Sequence, residues 1–137
     1  MADLSITAAS VLQGSGVTIS DGTAGGTVTP GQPVYQDAAD GNQWKAADAN
    51  ASAATAAAVW IALHASLDNQ PLQILTSGPI TIGATVALGT TYVLSATAGG
   101  IAPNVDATSG WYKTIIGVAT STTVIQVALN VSGALIP

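Results

Sequence analysis

The sequence predicts an all-β protein, a compact β-barrel or β-sandwich built from two similar β units with at most a short helix. Three observations favour this fold. Short runs of apolar or alternating residues recur along the chain, turns containing glycine, proline or aspartate separate them, and the second half of the chain echoes the first. At 137 residues the chain fits one domain, or two small halves packed together.

Residues 27–45 show this pattern most clearly. A Pro30-Gly31 corner is followed by the apolar pair Val34-Tyr35, and an Asp40-Gly41-Asn42 corner precedes Trp44. Proline and glycine supply the backbone angles that tight turns need, and aspartate and asparagine tolerate them. The stretch is therefore predicted to run strand, turn, strand, turn, strand.

Further strands are expected wherever apolar residues alternate between turn signals. The Ala-rich residues 46–58 lack a large apolar side chain to anchor a helix, so a short helical turn or an extended loop is expected there. Asp21-Gly22 and residues 76–79 are expected to interrupt strands. The predicted strands include residues 17–19, 59–65, 72–75, 80–82 and 92–95, and a final hairpin of 115–119 and 124–129.

An internal repeat joins these elements. Thr27-Val28-x-x-Gly31 recurs 58 residues later at Thr85, and Ile61-Ala62-Leu63 has a counterpart 55 residues later at Ile116. The alternative is that hairpins rich in glycine and threonine resemble one another by chance. We interpret the pattern as a duplicated β domain over residues 27–137, with approximate halves 27–77 and 78–137.

Residues 1–26 are expected to hold an N-terminal arm and a first strand. Glycines break this segment at short intervals, so no helix fits. Two interpretations stay open: a mobile arm that becomes ordered on a partner, or an ordinary first strand with flexible loops. No basic region precedes an apolar run, so a signal peptide is not expected.

The charge pattern excludes several classes of protein. The chain has no Cys, Arg or Glu; its charged residues are seven Asp and two Lys, which give a net charge of −5. This balance excludes the basic footprint of a nucleic-acid binder and argues against an anionic membrane as partner. No apolar run reaches the roughly 18 residues of a membrane span. A surface of few charges and many small residues favours an oligomer or a larger assembly.

No residue pattern predicts catalysis, a metal site or a cofactor. His64 is the only histidine and no motif around it supplies a nucleophile or metal-binding companions. Residues 37–42 resemble a calcium loop superficially, but the chain lacks the glutamate such a loop needs. Gly25-Gly26 and Gly99-Gly100 lack the strand-to-helix setting of a phosphate loop. The protein is therefore not expected to be an enzyme.

The six aromatic residues have two possible roles. They could form an exposed platform that stacks on sugars, or they could supply bulk to a core made otherwise of small aliphatic residues. Packing, inside the chain or between subunits, is the favoured role for Tyr35, Trp44, Trp60, Trp111 and Tyr112.

Several short motifs, taken in order, resemble the small head-decoration or capsid cement proteins of tailed bacteriophages. They are Gly31-Gln32-Pro33-Val34-Tyr35, Trp44-Lys45-Ala46-Ala47-Asp48, Ile61-Ala62-Leu63, Gln70-Pro71, Gly89-Thr90-Thr91-Tyr92 and Ile116-Gly117-Val118-Ala119. The likeness covers residues 27 onward and depends on order and spacing. It implies a β-rich domain that binds the outer face of an assembled capsid as an oligomer, with no catalytic residues.

The expected function is accordingly that of a virion structural protein that stabilises a phage head, made in the host cytoplasm and located on the outer capsid surface. The expected partners are the major capsid protein and further copies of the chain, a trimer being favoured over a dimer. The alternative is a carbohydrate- or receptor-binding head or tail-fibre module that uses the Trp and Tyr residues. Arm residues 2–23 and the apolar end are the candidate contacts: Leu4, Ile6, Val11, Leu12, Leu135 and Ile136.

Overall fold

A computed structural model describes residues 3–52, 55–56 and 60–137. These residues form ten strands of one curled, antiparallel, half-barrel sheet and contain no α-helix, which confirms the all-β prediction. Single turns of 3-10 helix occur at Ala8–Ser10, Ala38–Asp40 and Asn104–Asp106. The strands are β1 (Val11–Gln13), β2 (Thr18–Thr23), β3 (Pro33–Asp37), β4 (Gln43–Ala46), β5 (Trp60–Ala62), β6 (Pro71–Ile82), β7 (Thr91–Leu94), β8 (Ile101–Pro103), β9 (Tyr112–Ala119) and β10 (Val124–Leu135).

The strand order is symmetrical about the centre of the sheet. It runs β4-β3-β5-β6-β10-β9-β7-β8, so each strand of the first half has a counterpart in the second. The central strands β6 and β10 both have 12 residues. We call β2–β5 with residues 71–77 of β6 the first unit, and residues 78–82 of β6 with β7–β10 the second unit. Duplication as the origin of this symmetry stays a prediction.

The first unit curls until its outer strands meet. Strands β2 and β5 flank the N-terminal part of β6, and β5 continues through β3 to β4. Ala24, at the end of β2, bridges to Trp44 of β4, and the Gly25 N–H donates to the Trp44 carbonyl oxygen at 2.7 Å. The unit is therefore closed into a small barrel.

The N-terminal residues close the second unit. Strand β1 pairs with the C-terminal part of β6, on the edge opposite β10. Further along the arm, the Leu4 N–H donates to Ile101 of β8 and the Thr7 N–H to Gly83, both at 2.8 Å. Of the two sequence interpretations, the structure shows the arm packed on its own chain.

Strand β6 continues without interruption through residues 76–79, so the turn predicted there is wrong. Gly78 takes a φ of 111° within the strand, and a Cβ at this position would lie 2.8 Å from Val17 Cγ1. Pro79 pairs with Gln126, and its carbonyl oxygen accepts from the Gly14 N–H. The Gly-Pro pair therefore lies inside a long strand that both units share and does not end it.

The predicted break at Asp21-Gly22 is also wrong, because β2 continues through it to Thr23. The indole of Trp44 lies against Gly22, where an added Cβ would be 2.6 Å from Nε1. Glycine is present here because a side chain must pass close to the backbone, and no turn is needed. Strand β5 is shorter than the predicted 59–65, and Val59 lies outside the described residues.

Strand β6 contributes side chains to two hydrophobic cores. Leu72 and Ile74 face the core of the first unit, whereas Leu75, Ile80 and Ile82 face the larger core, which lies mainly in the second unit. Alternate side chains of a strand point to opposite faces, and the bulge at Thr76, where the pair Thr18–Ser77 is followed by Ile19–Leu75, brings Ile80 and Ile82 to the same side as Leu75. Other buried members of the second core include Val86, Leu94, Ile101, Ile116, Ile125 and Val127.

The Ala-rich segment ties the two units together. The Ala47 N–H donates to Pro33 of the first unit at 2.9 Å, and the Ala49 N–H donates to Ser95 of the second at 3.0 Å. Ala47 and Ala49 are fully buried. Where described, the segment forms turns, in line with the loop expectation; residues 53–54 and 57–58 lie outside the described part. Small side chains suit this place because the backbone itself makes the contacts.

Candidate functional site: an uncharged outer face

No catalytic constellation is present among the described residues. They contain no group of three or more His, Asp, Glu or Cys side chains able to hold a metal ion. A shallow cleft of about 340 Å³ lies beside the arm, and its polar lining consists of hydroxyl groups and backbone. Its lining side chains cannot act as a general base or activate a nucleophile. The cleft is lined by Ser5, Thr7, Ser10, Thr81, Gly83, Ala84, Thr85 and Thr123.

The side chain of His64 forms hydrogen bonds with the backbone through both ring nitrogens. His64 Nε2 accepts from the Gln73 N–H at 3.0 Å, so Nδ1 carries the proton and donates to the Ala65 carbonyl oxygen at 3.0 Å. Both ring nitrogens are therefore used to hold the turn between β5 and β6. His64 is half-buried, and its role in this structure is structural.

A cluster of three charges orders the corner after β3. The Lys45 ammonium lies 2.9 Å from Asp37 Oδ2 and 3.0 Å from Asp40 Oδ2. Asp37 also accepts from the Ala39 N–H at 3.0 Å. The hydrogen bond from Lys45 lowers the pKa of Asp37, and the bond to Asp37 is the main cause that raises the pKa of Lys45. The three charged groups pair with one another, so the cluster stabilises the turn and is not a candidate binding site.

The aromatic side chains do not form an exposed platform. Trp44 is 4% exposed and stacks on Trp60, with ring centroids 4.9 Å apart and planes inclined by 25°. Tyr92 is buried, and its hydroxyl accepts from the Ala87 N–H at 2.9 Å. The remaining three are half-buried and pack against the larger core: Tyr35, Trp111 and Tyr112.

The candidate contacts of the arm divide between the core and the surface. Leu4 and Ile6 pack against the larger core, and Val11 is buried in it. Leu12 alternates with Val11 along β1 and is 63% exposed. Of these four, Leu12 alone is mostly exposed at the surface. The others help to close the second unit in this structure.

The last strand places Leu135 at the surface, where it is 52% exposed, and Ile136 in a half-buried position. The Ile136 N–H donates to the Trp111 carbonyl oxygen at 2.8 Å and its own carbonyl oxygen accepts from the Gly110 N–H at 3.0 Å. The chain after β10 is thereby held against the start of β9, and Leu135 faces outward at this end of the sheet.

Charges and exposed apolar side chains lie on different units. Residues 16–77 carry five Asp and one Lys, whereas residues 78–137 carry one Asp and one Lys, and the arm that packs on them adds Asp3. Seven large apolar side chains of the described residues are exposed, and all but Leu67 lie on the second unit or on β1, which pairs with it. The six are Leu12, Leu88, Val105, Val118, Val131 and Leu135.

Part of this set shares one outer face of the sheet. Leu12, Thr81 and Val124 stand opposite one another on β1, β6 and β10, while Pro79, Gln126 and Val118 form the next row. Residues that pair across strands project to the same side, and their neighbours Ile80, Ile125 and Ala119 are buried on the other. We call these six residues the neutral face: Leu12, Pro79, Thr81, Val118, Val124 and Gln126.

Sequence reasoning found Leu12 of this face and missed Val118. Simple alternation from Thr114 and Ile116, both buried, would turn Val118 inward. The pairing of β7 with β9 shifts at this point, from Tyr92–Gly117 to Val93–Ile115, and the bulge turns Val118 outward. The one local signal in the sequence of β9 is Gly117, because an isolated glycine inside a strand marks a bulge or a close backbone contact, and a Cβ there would collide with the Gln126 carbonyl oxygen.

Among the described residues, none lies in a helix long and apolar enough to span a membrane. Comparison of the chain with protein-family models, with curated proteins and with solved structures finds no match.

Proposed function

We propose that the protein is a virion structural protein that decorates the outer surface of an assembled phage head and stabilises it. The observation that carries the proposal is the separation of the acidic first unit from the neutral, partly apolar outer surface of the second. A protein that coats a shell needs one side that docks and one side that remains hydrated. The resemblance of residues 27 onward to head-decoration proteins points to the same role.

The neutral face is the proposed contact with the major capsid protein. It lies on four paired strands, so its side chains are held by a rigid sheet and lose little conformational freedom on binding. It carries no charged side chain, which makes the attachment insensitive to salt. Many copies bound to one shell would multiply a modest affinity per site and add to shell stability by mass action.

Co-sedimentation with purified, undecorated heads tests the proposal. We expect the wild-type chain to pellet with heads at both 0.05 M and about 0.5 M NaCl. Leu12→Lys with Val118→Lys places two charges on the neutral face and is expected to weaken binding at least tenfold, which corresponds to about 1.4 kcal/mol. Leu67→Lys is the matched control, because Leu67 is exposed on the acidic unit.

Two results would contradict the proposal. Wild-type protein that stays in the supernatant at every ratio of protein to heads removes the decoration role. Binding that survives both lysines on the neutral face but fails in Leu67→Lys would move the contact to the acidic unit. Circular dichroism spectra of all variants establish that each is folded before the binding results are compared.

A further inference from the structure

The two central strands differ in how their C-terminal halves are covered. Ile80 of β6 pairs with Gln13 of β1 on one edge and with Ile125 of β10 on the other, so β6 is covered on both edges. Strand β10 pairs with β6 as far as Ala128 and with β9 as far as Leu135. Beyond Ala128, no strand of the described residues lies on the β6 side of β10.

The uncovered stretch, residues 129–135, lacks the usual protection of an edge strand. Edges that avoid pairing carry lysines, prolines or inward-pointing charges. Residues 114–137 have no charged side chain, and Val131 and Leu135 are 37% and 52% exposed. The one protective feature is a bulge, at which Ser132 Oγ accepts from the Ala134 N–H at 3.2 Å and donates to the Lys113 carbonyl oxygen.

The symmetry of the sheet indicates what fits on this edge. On β6, the corresponding edge holds β1, an antiparallel strand of the same chain. By this symmetry, the corresponding edge of β10 has a place for one more antiparallel strand. No strand of the described residues holds that place on β10, and β1 is already paired with β6.

We propose that residues 129–135 of a second copy occupy this edge, antiparallel to the first, so that two β10 strands pair about a two-fold axis. A two-fold contact brings the same surface of both copies together. Each copy carries a net charge of −5, and five of its seven Asp lie in residues 16–77. Because the proposed contact surface is uncharged, two copies can approach each other there without strong repulsion. Main-chain hydrogen bonds supply the contact, with Val131 and Leu135 packing across it.

Light scattering of the purified chain tests the pairing without capsids. We expect a dimer mass that falls to the monomer mass on dilution. Val131→Lys with Leu135→Lys is expected to give a monomer at all concentrations, because lysines on an edge oppose strand pairing. Leu88→Lys is the matched control: it adds a charge to an exposed leucine of the same unit away from the edge, and it should still dimerise.

Hydrogen exchange of the wild-type chain gives a second readout that needs no variant. Amide protons of residues 129–135 should exchange at least tenfold more slowly at high concentration than at low concentration, while those of β2 remain unchanged. Three results would overturn the proposal: a wild-type monomer throughout, a dimer that survives both lysines, or a trimer, the state favoured from the sequence, which a two-fold contact cannot close. A dimer that ignores heads would leave this pairing intact and remove the proposed function.

Discussion

Gly31 and Gly89 make the same hydrogen bond in the two units. The Gly31 N–H donates to the Ala62 carbonyl oxygen at 2.9 Å, and the Gly89 N–H donates to the Ala119 carbonyl oxygen at 2.8 Å. Both glycines have positive φ, 85° and 80°, at the end of a turn that leads into β3 or β7. One corner geometry therefore starts the corresponding hairpin in each unit.

The surroundings of the two glycines differ, which allows a matched test. A Cβ on Gly89 would meet nothing within 4 Å, whereas a Cβ on Gly31 would lie 3.0 Å from Ile6 Cγ2 and 3.2 Å from Val11 Cγ2. Gly89→Ala should lower the free energy of unfolding by about 1 kcal/mol, the cost of positive φ alone. Gly31→Ala should cost about 2–3 kcal/mol, because the arm must also move. Urea unfolding measures both, and equal losses would show that the arm is not packed on Gly31.

Asp3 latches the arm onto the second unit. Asp3 Oδ1 accepts a hydrogen bond from the Ser95 hydroxyl at 2.6 Å, and Ser95 Oγ accepts one from the Thr97 N–H at 3.0 Å. Asp3→Ala should lower the free energy of unfolding by about 1–2 kcal/mol, since buried Ser95 loses a charged acceptor. Amide exchange of residues 4–13 should accelerate. Asp68→Ala, which removes the same charge from an exposed turn, should leave that exchange unchanged; identical behaviour of the two variants would contradict the latch.

The stacked tryptophans should contribute unequally to stability. Trp44 is buried between Gly22 and Trp60, so Trp44→Ala should lower the free energy of unfolding by about 3–5 kcal/mol. Trp60 is half-buried, and Trp60→Ala should cost about half as much. Urea unfolding gives the energies, and loss of the near-ultraviolet dichroism of the pair in both variants verifies the stacking. A smaller loss for Trp44→Ala than for Trp60→Ala would contradict the burial of Trp44.

The same pair decides how the carbohydrate alternative can be tested. Loss of glycan binding in Trp44→Ala would report a destabilised core, because the Trp44 ring is not available for stacking on a sugar. Trp60 and Trp111 are both half-buried, and Trp111 lies outside the stacked pair, so Trp111→Ala is the informative variant. Retained glycan binding there, in a protein that ignores heads, would favour a site built on Trp60.

Turn residues and alternation predict the strand content, but they misplace some connections. The corner at Gly31 and its echo at Gly89 could be predicted because threonine, valine and glycine recur at the same spacing. Gly78-Pro79 and Asp21-Gly22 carry equally strong turn signals, yet both lie inside strands. Their glycines accommodate Val17 and the indole of Trp44, and such contacts between distant segments cannot be inferred from local sequence.

The alignment of the two units could be predicted only in part. The sequence match pairs Ile61 with Ile116, whereas the hydrogen bonds of Gly31 and Gly89 pair Ala62 with Ala119, two positions further along. The bulge in β9 inserts one extra residue and so accounts for one of these two positions. The neutral face was also hard to predict, because the exposed side of a strand depends on its partners. The partner of β1 is the distant strand β6, and the shift that turns Val118 outward occurs where β9 pairs with β7.

The charge cluster at Asp37 predicts a pH dependence at the acid end. The hydrogen bond from Lys45 lowers the pKa of Asp37 below its ordinary value of 3.8. A carboxyl group whose pKa is lower in the folded state stabilises the fold above its ordinary pKa, and this contribution is lost as the pH falls through the lowered value. Asp37→Asn should therefore have a lower Tm than wild type at pH 7, and the difference should disappear near pH 2.

Asp40→Asn is the matched control, because the Asp40 side chain is 55% exposed against 23% for Asp37, and it should change Tm less. Salt at about 1 M should shrink the difference at pH 7. A Tm difference for Asp37→Asn that is the same at pH 2 and pH 7 would mean that the carboxylate charge is not what stabilises the corner.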